Sequence, residues 1–314
     1  MSVSLRDIVA AESVVRPYIR TTPILEVDPR DFGLDEFADS GGRLTLKLEC
    51  MQHAGSFKPR GAFTTLLTGG RETRDLVAVS GGNHGAAVGF AARALGLNAT
   101  IFVPNFAPAA KVEKIRSYGA DVRLVGDHIA ETIAAYEAFR SENDVADVHP
   151  YEAVGTITGQ GTLGFEWAEQ CPDMDAVLIA IGGGGLISGV AYAMQMGPAV
   201  IGVEPVDARC AYEARKAGAP VEMTPTSIAR DSLGAPSIGR MNHDAIDAHV
   251  DDLALVEDDA IRAAQKALWS QCGIAAELGA SAALGAVMSG AVRPEPGSHV
   301  GVLICGSNVD LTTI

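Results

Sequence analysis

The spacing of apolar residues changes period along the chain, and the changes mark out the elements. Leu5, Ile8, Val9 and the stretch 12–15 recur at helical spacing, and Pro17 stops that helix. Residues 21–25 read as extended, 28–42 as a polar connection with Pro29, Gly33 and Gly41-Gly42, and 44–48 as a strand. A helix is predicted from about Pro59 to Leu67. From Leu76 onward the alternation is regular: strand 76–79, helix 84–95, strand 99–103, helix 108–118, strand 121–125, helix 128–141. Apolar strands alternating with helices predict right-handed crossovers and a parallel sheet covered on both faces. A glycine-bearing helix start follows at 155–170, then strand 176–181, a glycine turn with a helix, and strand 200–204. The polar, proline-rich stretch 220–236 has no period. Helices at 258–271 and 279–289 and a strand at 299–304 complete the pattern, with no internal repeat.

Length turns this into two lobes. The chain has 314 residues, and single cores stop growing at roughly 250–300. The regular block 68–148 is the expected small lobe, and 1–67 with 149–314 the large one. Composition keeps the chain in the α/β class, with 47% hydrophobic residues and only 5% aromatic. A net charge of −15 argues against nucleic acid and anionic membrane as partners, because both need basic patches. The uncharged run 176–203 is long enough to cross a bilayer, but four glycines and Pro198 break it into strand, loop, helix and strand. Five cysteines without a C-x-x-C pair suggest neither a disulfide framework nor a cysteine zinc site, and Asp7 and Glu12 interrupt any signal-peptide pattern. A reducing cytoplasm fits these features.

Three stretches carry candidate chemistry. Lys58 stands in Ser56-Phe57-Lys58-Pro59-Arg60-Gly61-Ala62 at the end of a hydrophobic strand. Ser80-Gly81-Gly82-Asn83-His84-Gly85 and Gly182-Gly183-Gly184-Gly185 each lie between an apolar run and a helical pattern. A strand, a glycine turn and a helix N-terminus form an anion cradle, in which free N–H groups converge and the helix dipole adds attraction. In this order and at these distances the three resemble the fold type II family of pyridoxal 5'-phosphate (PLP) enzymes, which includes serine/threonine dehydratases and serine racemases. The resemblance runs over nearly the whole chain and implies two doubly wound parallel-sheet lobes, similar to the β subunit of tryptophan synthase.

The resemblance also implies roles. Lys58 would join the PLP carbonyl and, once freed, take the Cα proton; Phe57 would lie against the pyridine ring. Asn83 matches the residue that bonds the phenolic oxygen, and Ser80, Gly81, Gly82, Asn83 and His84 match the loop that holds the substrate carboxylate. Gly182, Gly183, Gly184 and Gly185, with Leu186, match the phosphate cradle. Cys305 stands where relatives often carry a serine or threonine facing the pyridine nitrogen, a neutral partner that suits β-elimination better than transamination. Racemases of the family place a serine at the position of Gly81, which offers no acid or base. The family's cation site matches Glu204 and the carbonyl of Ala208, but Cys210 replaces its acid, which leaves a divalent cation open unless Asp207 substitutes. Glu277 is expected to face the site, although Leu278 follows it where relatives often have proline.

The resulting expectation is a PLP-dependent lyase that removes water from a β-hydroxy amino acid, L-threonine, L-serine or a 3-hydroxyaspartate, to give a 2-oxo acid and ammonia. The small amino acid is the expected partner, and the resemblance implies a homodimer or larger homo-oligomer. The alternatives are a racemase or β-replacement enzyme of the same fold, and a PLP- or metabolite-binding protein without catalysis. A dinucleotide-binding reading fails because Gly182–Gly189 lacks the G-x-G-x-x-G pattern.

Overall fold

The computed structural model describes residues 3–70 and 73–314. The chain opens with α1 (Leu5–Val15), capped by Ser4, and β1 (Ile24–Val27). A short α2 (Asp35–Asp39) leads to β2 (Arg43–Lys47) and α3 (Lys58–Thr68). The next block is β3 (Asp75–Val79), α4 (Asn83–Leu95), β4 (Asn98–Val103), α5 (Ala109–Ser117), β5 (Asp121–Leu124), α6 (Ile129–Glu142) and the two-residue β6 (Ala146–Asp147). Then come α7 (Val154–Gln170), β7 (Ala176–Ala180), α8 (Gly185–Met194), β8 (Ala199–Pro205), α9 (Cys210–Ala217) and the one-turn α10 (Arg230–Leu233). The last elements are α11 (Arg240–His249), β9 (Asp252–Val256), α12 (Asp258–Cys272), α13 (Leu278–Met288) and β10 (His299–Leu303).

The strands form two sheets, one per lobe. Four parallel strands in the order β5-β4-β3-β6 make the smaller, and six in the order β1-β2-β10-β7-β8-β9 the larger. In the larger sheet only β1 runs antiparallel, against β2. Both are α/β sheets, as the alternating pattern implied. The apolar run 176–203 is divided among β7, the glycine loop, α8 and β8, and no helix among the described residues is long and apolar enough to cross a membrane. The polarity of 205–257 hid α9, α11 and β9. Their apolar faces are narrow, with only Ala245 and Ile246 among the apolar residues of α11 buried.

Glycines place the helices that carry the site. The sequence put the glycines of 155–164 at a helix start, whereas Gly159, Gly161 and Gly164 lie inside α7, where each costs roughly 1 kcal/mol of helix propensity. Close approach explains them. A Cβ on Gly159 would lie 2.5 Å from the Arg60 carbonyl oxygen of α3, and one on Gly189 of α8 would lie 2.4 Å from that of Ile157 in α7. The three helices therefore touch backbone to backbone.

Beneath them sits a buried cluster of charges. Arg60, fully buried two residues after Lys58, donates from Nε to Glu49 Oε1 at 2.6 Å and from Nη2 to Glu166 Oε2 at 3.0 Å. Lys47 donates to Glu166 Oε1 at 2.5 Å, and Arg16 reaches Glu166 from the edge at 3.0 Å. Burial alone would raise the Glu166 pKa, yet the charges of Arg60 and Lys47 hold it down at about 2. Removing one partner of such a cluster strands a charge in a low-dielectric interior. Glu166→Gln is expected to cost about 3–5 kcal/mol of unfolding free energy in a denaturant titration. Because the folded value lies below the ordinary 4.5, this contribution is complete above about pH 4.5 and is lost as pH falls towards 2. A wild-type stability that stays flat across that acid window would refute the assignment.

Candidate active site

The candidate residues gather at the carboxyl ends of strands from both sheets. Lys58 follows β2, the loop 80–84 follows β3, the glycine loop follows β7 and Cys305 follows β10. Crevices outside the carboxyl ends of strands are where open α/β sheets hold ligands.

Lys58 opens α3, with Pro59 in the first turn, where proline's missing N–H does no harm. Its Nζ donates to the carbonyl of Pro150 at 2.6 Å and lies 4.9 Å from the Phe57 ring centroid. Part of the side chain is accessible, but the amine is surrounded by protein. Burial lowers its pKa to about 8. The loop before it is laced to the end of β10. Phe57 N–H donates to Cys305 O at 3.2 Å, and Ser307 N–H donates to Gly55 O at 2.9 Å. Ala54 takes a left-handed conformation (φ 57°), and its carbonyl accepts from Asn308 Nδ2. The Cys305 thiol is buried and driven far upward in pKa by desolvation, so it is neutral.

Asn83 is fixed from two sides. Its Nδ2 donates to Glu277 Oε2 at 2.8 Å, and its Oδ1 accepts from Asn308 Nδ2 at 2.7 Å, which leaves one amide N–H unused. The other oxygen of Glu277 accepts from Asn308 N–H at 2.7 Å, and burial raises the Glu277 pKa. Lys114 of α5 donates to Asn308 Oδ1, so both lobes contribute to this knot. Asn308 and Lys114 carried no signal in the sequence, since each is an ordinary polar residue until the fold brings it here.

The rest of the loop after β3 is more accessible. Ser80 Oγ accepts from Gly82 N–H at 3.1 Å. At Gly81 a Cβ would lie 2.9 Å from that of Ala107 and 3.3 Å from Val103 Cγ1, so carbon atoms line this side. His84 stands apart. Its ring is buried, with Nε2 at 2.6 Å from Val148 O, and burial together with the charge of Lys58 pushes its pKa down to about 3. The ring is thus neutral and turned inward, and only the backbone of His84 belongs to the loop.

The glycine loop shows what it is shaped to hold. No acceptor among the described residues takes the N–H of Gly183, Gly184, Gly185, Leu186 or Ile187, and α8 has neither a capping side chain nor an acid in its first turn. Five unpartnered donors at a helix N-terminus suit an oxyanion such as a phosphate. The space is defined by contact. Gly184 has φ +88°, and a Cβ on Gly183 would lie 2.3 Å from the Tyr151 ring. Tyr151 follows Pro150, the acceptor of Lys58, so the loop and the amine share one wall. Leu186 contributes its N–H, while its side chain joins the larger core.

Glu204 and Ala208 lie behind this loop. Both oxygens of Glu204 accept backbone N–H groups, from Ala211 and Tyr212, each at 2.8 Å. Burial lifts its pKa to about 7. Asp207 is exposed, and no group of three or more His, Cys, Asp or Glu among the described residues is placed to hold a metal ion.

Comparison with known proteins gives this geometry a context. The profile of a family described as pyridoxal-phosphate dependent enzymes matches residues 15–306. A phenylserine dehydratase of Ralstonia pickettii is 37% identical, with 98% of this chain and 94% of the relative covered. A catabolic L-threonine dehydratase of Staphylococcus aureus is 33% identical over 99% of this chain and 91% of its own. The structure of maize serine racemase superposes with a TM-score of 0.91 at 31% identity, covering 100% of this chain and 96% of the racemase.

The depressed pKa of Lys58 has a direct test. In cofactor-free protein, labelling of Lys58 by an amine reagent should rise with a midpoint near pH 8 rather than at the ordinary 10.5, followed by peptide mass analysis. A midpoint at the ordinary value would mean that the amine is solvated.

Proposed function

The chain belongs to the pyridoxal-phosphate dependent enzymes, and on that premise we propose that it is a dehydratase, releasing a 2-oxo acid and ammonia from a β-hydroxy amino acid. The residues fit the cofactor. The N–H groups of Gly183 to Ile187 would hold its phosphate, the Asn83 amide has one N–H left for the phenolic oxygen, and the neutral Cys305 thiol would face the ring nitrogen. When bound, PLP withdraws electrons from Cα of the amino acid.

The protein's own part is mostly placement and proton handling. The loop Ser80 to His84 would offer backbone N–H groups and the Ser80 hydroxyl to the substrate carboxylate. Lys58 Nζ, unprotonated in about one molecule in ten at pH 7 for a pKa near 8, would take the Cα proton. Loss of that proton and of the β-hydroxyl as water leaves an enamine, which hydrolyses to the 2-oxo acid and ammonia. A thiol that stays neutral does not hold the ring nitrogen charged, which favours elimination over the deeper electron withdrawal that transamination needs.

The observation that carries this reading over racemisation is Gly81. Reversing the configuration at Cα requires a second proton donor on the face opposite Lys58, and the site at Gly81 is closed by Ala107, Val103 and Pro104. The similarity to a serine racemase keeps racemisation as the second reading, and the phenylserine and threonine dehydratases support the first. They also suggest the substrate range: L-threonine, L-serine, a 3-phenylserine or a 3-hydroxyaspartate.

The experiment is 2-oxo acid release by the PLP-loaded protein across L- and D-serine, L- and D-threonine, 3-phenylserine and the 3-hydroxyaspartate isomers. Release from at least one is expected, falling by roughly a thousandfold or more in Lys58→Ala. Appearance of the opposite enantiomer without 2-oxo acid would replace the dehydratase by a racemase. Undiminished turnover in Lys58→Ala would remove the lysine from the mechanism.

A further inference from the structure

The glycine loop is held on the side opposite its free N–H groups. Gly182 O accepts from Cys210 Sγ at 3.4 Å, Gly183 O from Asn242 Nδ2 at 2.8 Å, and Gly184 O from Ser188 N–H at 3.0 Å. Three successive carbonyls are thus drawn back into the protein, and successive peptide planes so fixed leave the N–H groups facing the anion site. Asn242 and Ser188 belong to α11 and α8, which pack directly on the loop. Cys210 comes from farther away.

Its placement depends on Glu204. The carboxylate at the end of β8 binds the N–H groups of Ala211 and Tyr212 in the first turn of α9, and Cys210 is the first residue of that helix. Both oxygens of Glu204 accept from α9, its carboxyl group is also within hydrogen-bonding reach of the Cys210 thiol, and a carbonyl carries no proton of its own. The proton between Cys210 and Gly182 is therefore the thiol's, and the thiol is the donor.

The sequence resemblance puts a divalent cation at Glu204, Ala208 and position 210. The groups present do not fit one. The carboxylate is engaged by two backbone donors, a thiol is a soft ligand where Mg²⁺ or Ca²⁺ wants oxygen, and Asp207 stays in solvent. The Ala208 carbonyl alone does not hold a dication.

We propose that Cys210 is a positioning residue for the glycine loop, its thiol holding the Gly182 carbonyl where relatives would use a bound cation, so that this protein retains its cofactor without divalent metal. The proposal rests on reading the loop as the phosphate cradle of PLP. Its effect is on cofactor affinity, because a loop no longer held from behind loses the alignment of its N–H groups.

The test measures PLP retention and unfolding temperature rather than turnover, so that its failure is separate from failure of the dehydratase reading. Holoenzyme is dialysed against EDTA and then returned to Mg²⁺ or Ca²⁺. PLP affinity and unfolding temperature should be the same in all three states. Cys210→Ala should weaken PLP binding by about five- to tenfold, the scale of one hydrogen bond to a buried carbonyl, with little change in the unfolding temperature of the cofactor-free protein. Cys210→Ser, which keeps a donor, should stay within about threefold of wild type. Loss of PLP in EDTA with recovery in Mg²⁺, or an alanine variant that binds PLP as tightly as wild type, would overturn the proposal. Should Cys210→Ala not fold, Cys210→Ser decides: retention of PLP in EDTA supports the thiol's role, and loss overturns it.

Discussion

A guanidinium sealed from water must be neutralised where it lies, and much of the arrangement around the active site follows from this requirement at Arg60. Glu49 and Glu166 supply the neutralisation. One comes from the turn after β2 and the other from α7, so pairing them with Arg60 fixes α3 relative to both. Lys58 opens the same helix. Its amine is placed by a helix held both by buried ion pairs, to α7 and to the turn after β2, and by glycine contacts with α7. Such a scaffold suits an amine whose position must be fixed to within a fraction of an ångström.

The amine and the glycine loop need opposite environments, and the fold provides them from adjacent backbone. At Lys58 the low dielectric works against charge and keeps some of the amine unprotonated. At the glycine loop unpaired N–H groups and the α8 dipole favour negative charge. The segment Pro150-Tyr151 separates the two, offering a carbonyl to the amine and a ring to Gly183. An anion-binding loop and an amine of lowered pKa are thus set side by side on one short segment.

What the sequence disclosed was chemistry that is contiguous in the chain. The lysine motif and the glycine stretches with their flanking strands and helices are local patterns, and the alternation from 76 to 141 needed only hydrophobic period to read. What it hid depends on distant segments meeting. Asn308, Lys114 and Asn242 acquire their roles from partners up to 225 residues away. The glycines inside α7 contradict helix propensity and make sense only with α3 and α8 against them. At His84 the motif was visible but the direction of the side chain was not, because burial of its ring depends on the segment around Val148, 64 residues further along the chain.

The position of β10 has a consequence for how the molecule comes into being on the ribosome. The strand latest in the sequence is placed between β2 and β7, hydrogen-bonded to both. Until it has emerged, the strand leading to Lys58 and the strand leading to the glycine loop have no common neighbour, while the small sheet, complete by residue 147, can close early. Synthesis therefore leaves two half-sites waiting for a keystone, and the buried amine and the glycine loop are brought into register by the same late event that finishes the sheet.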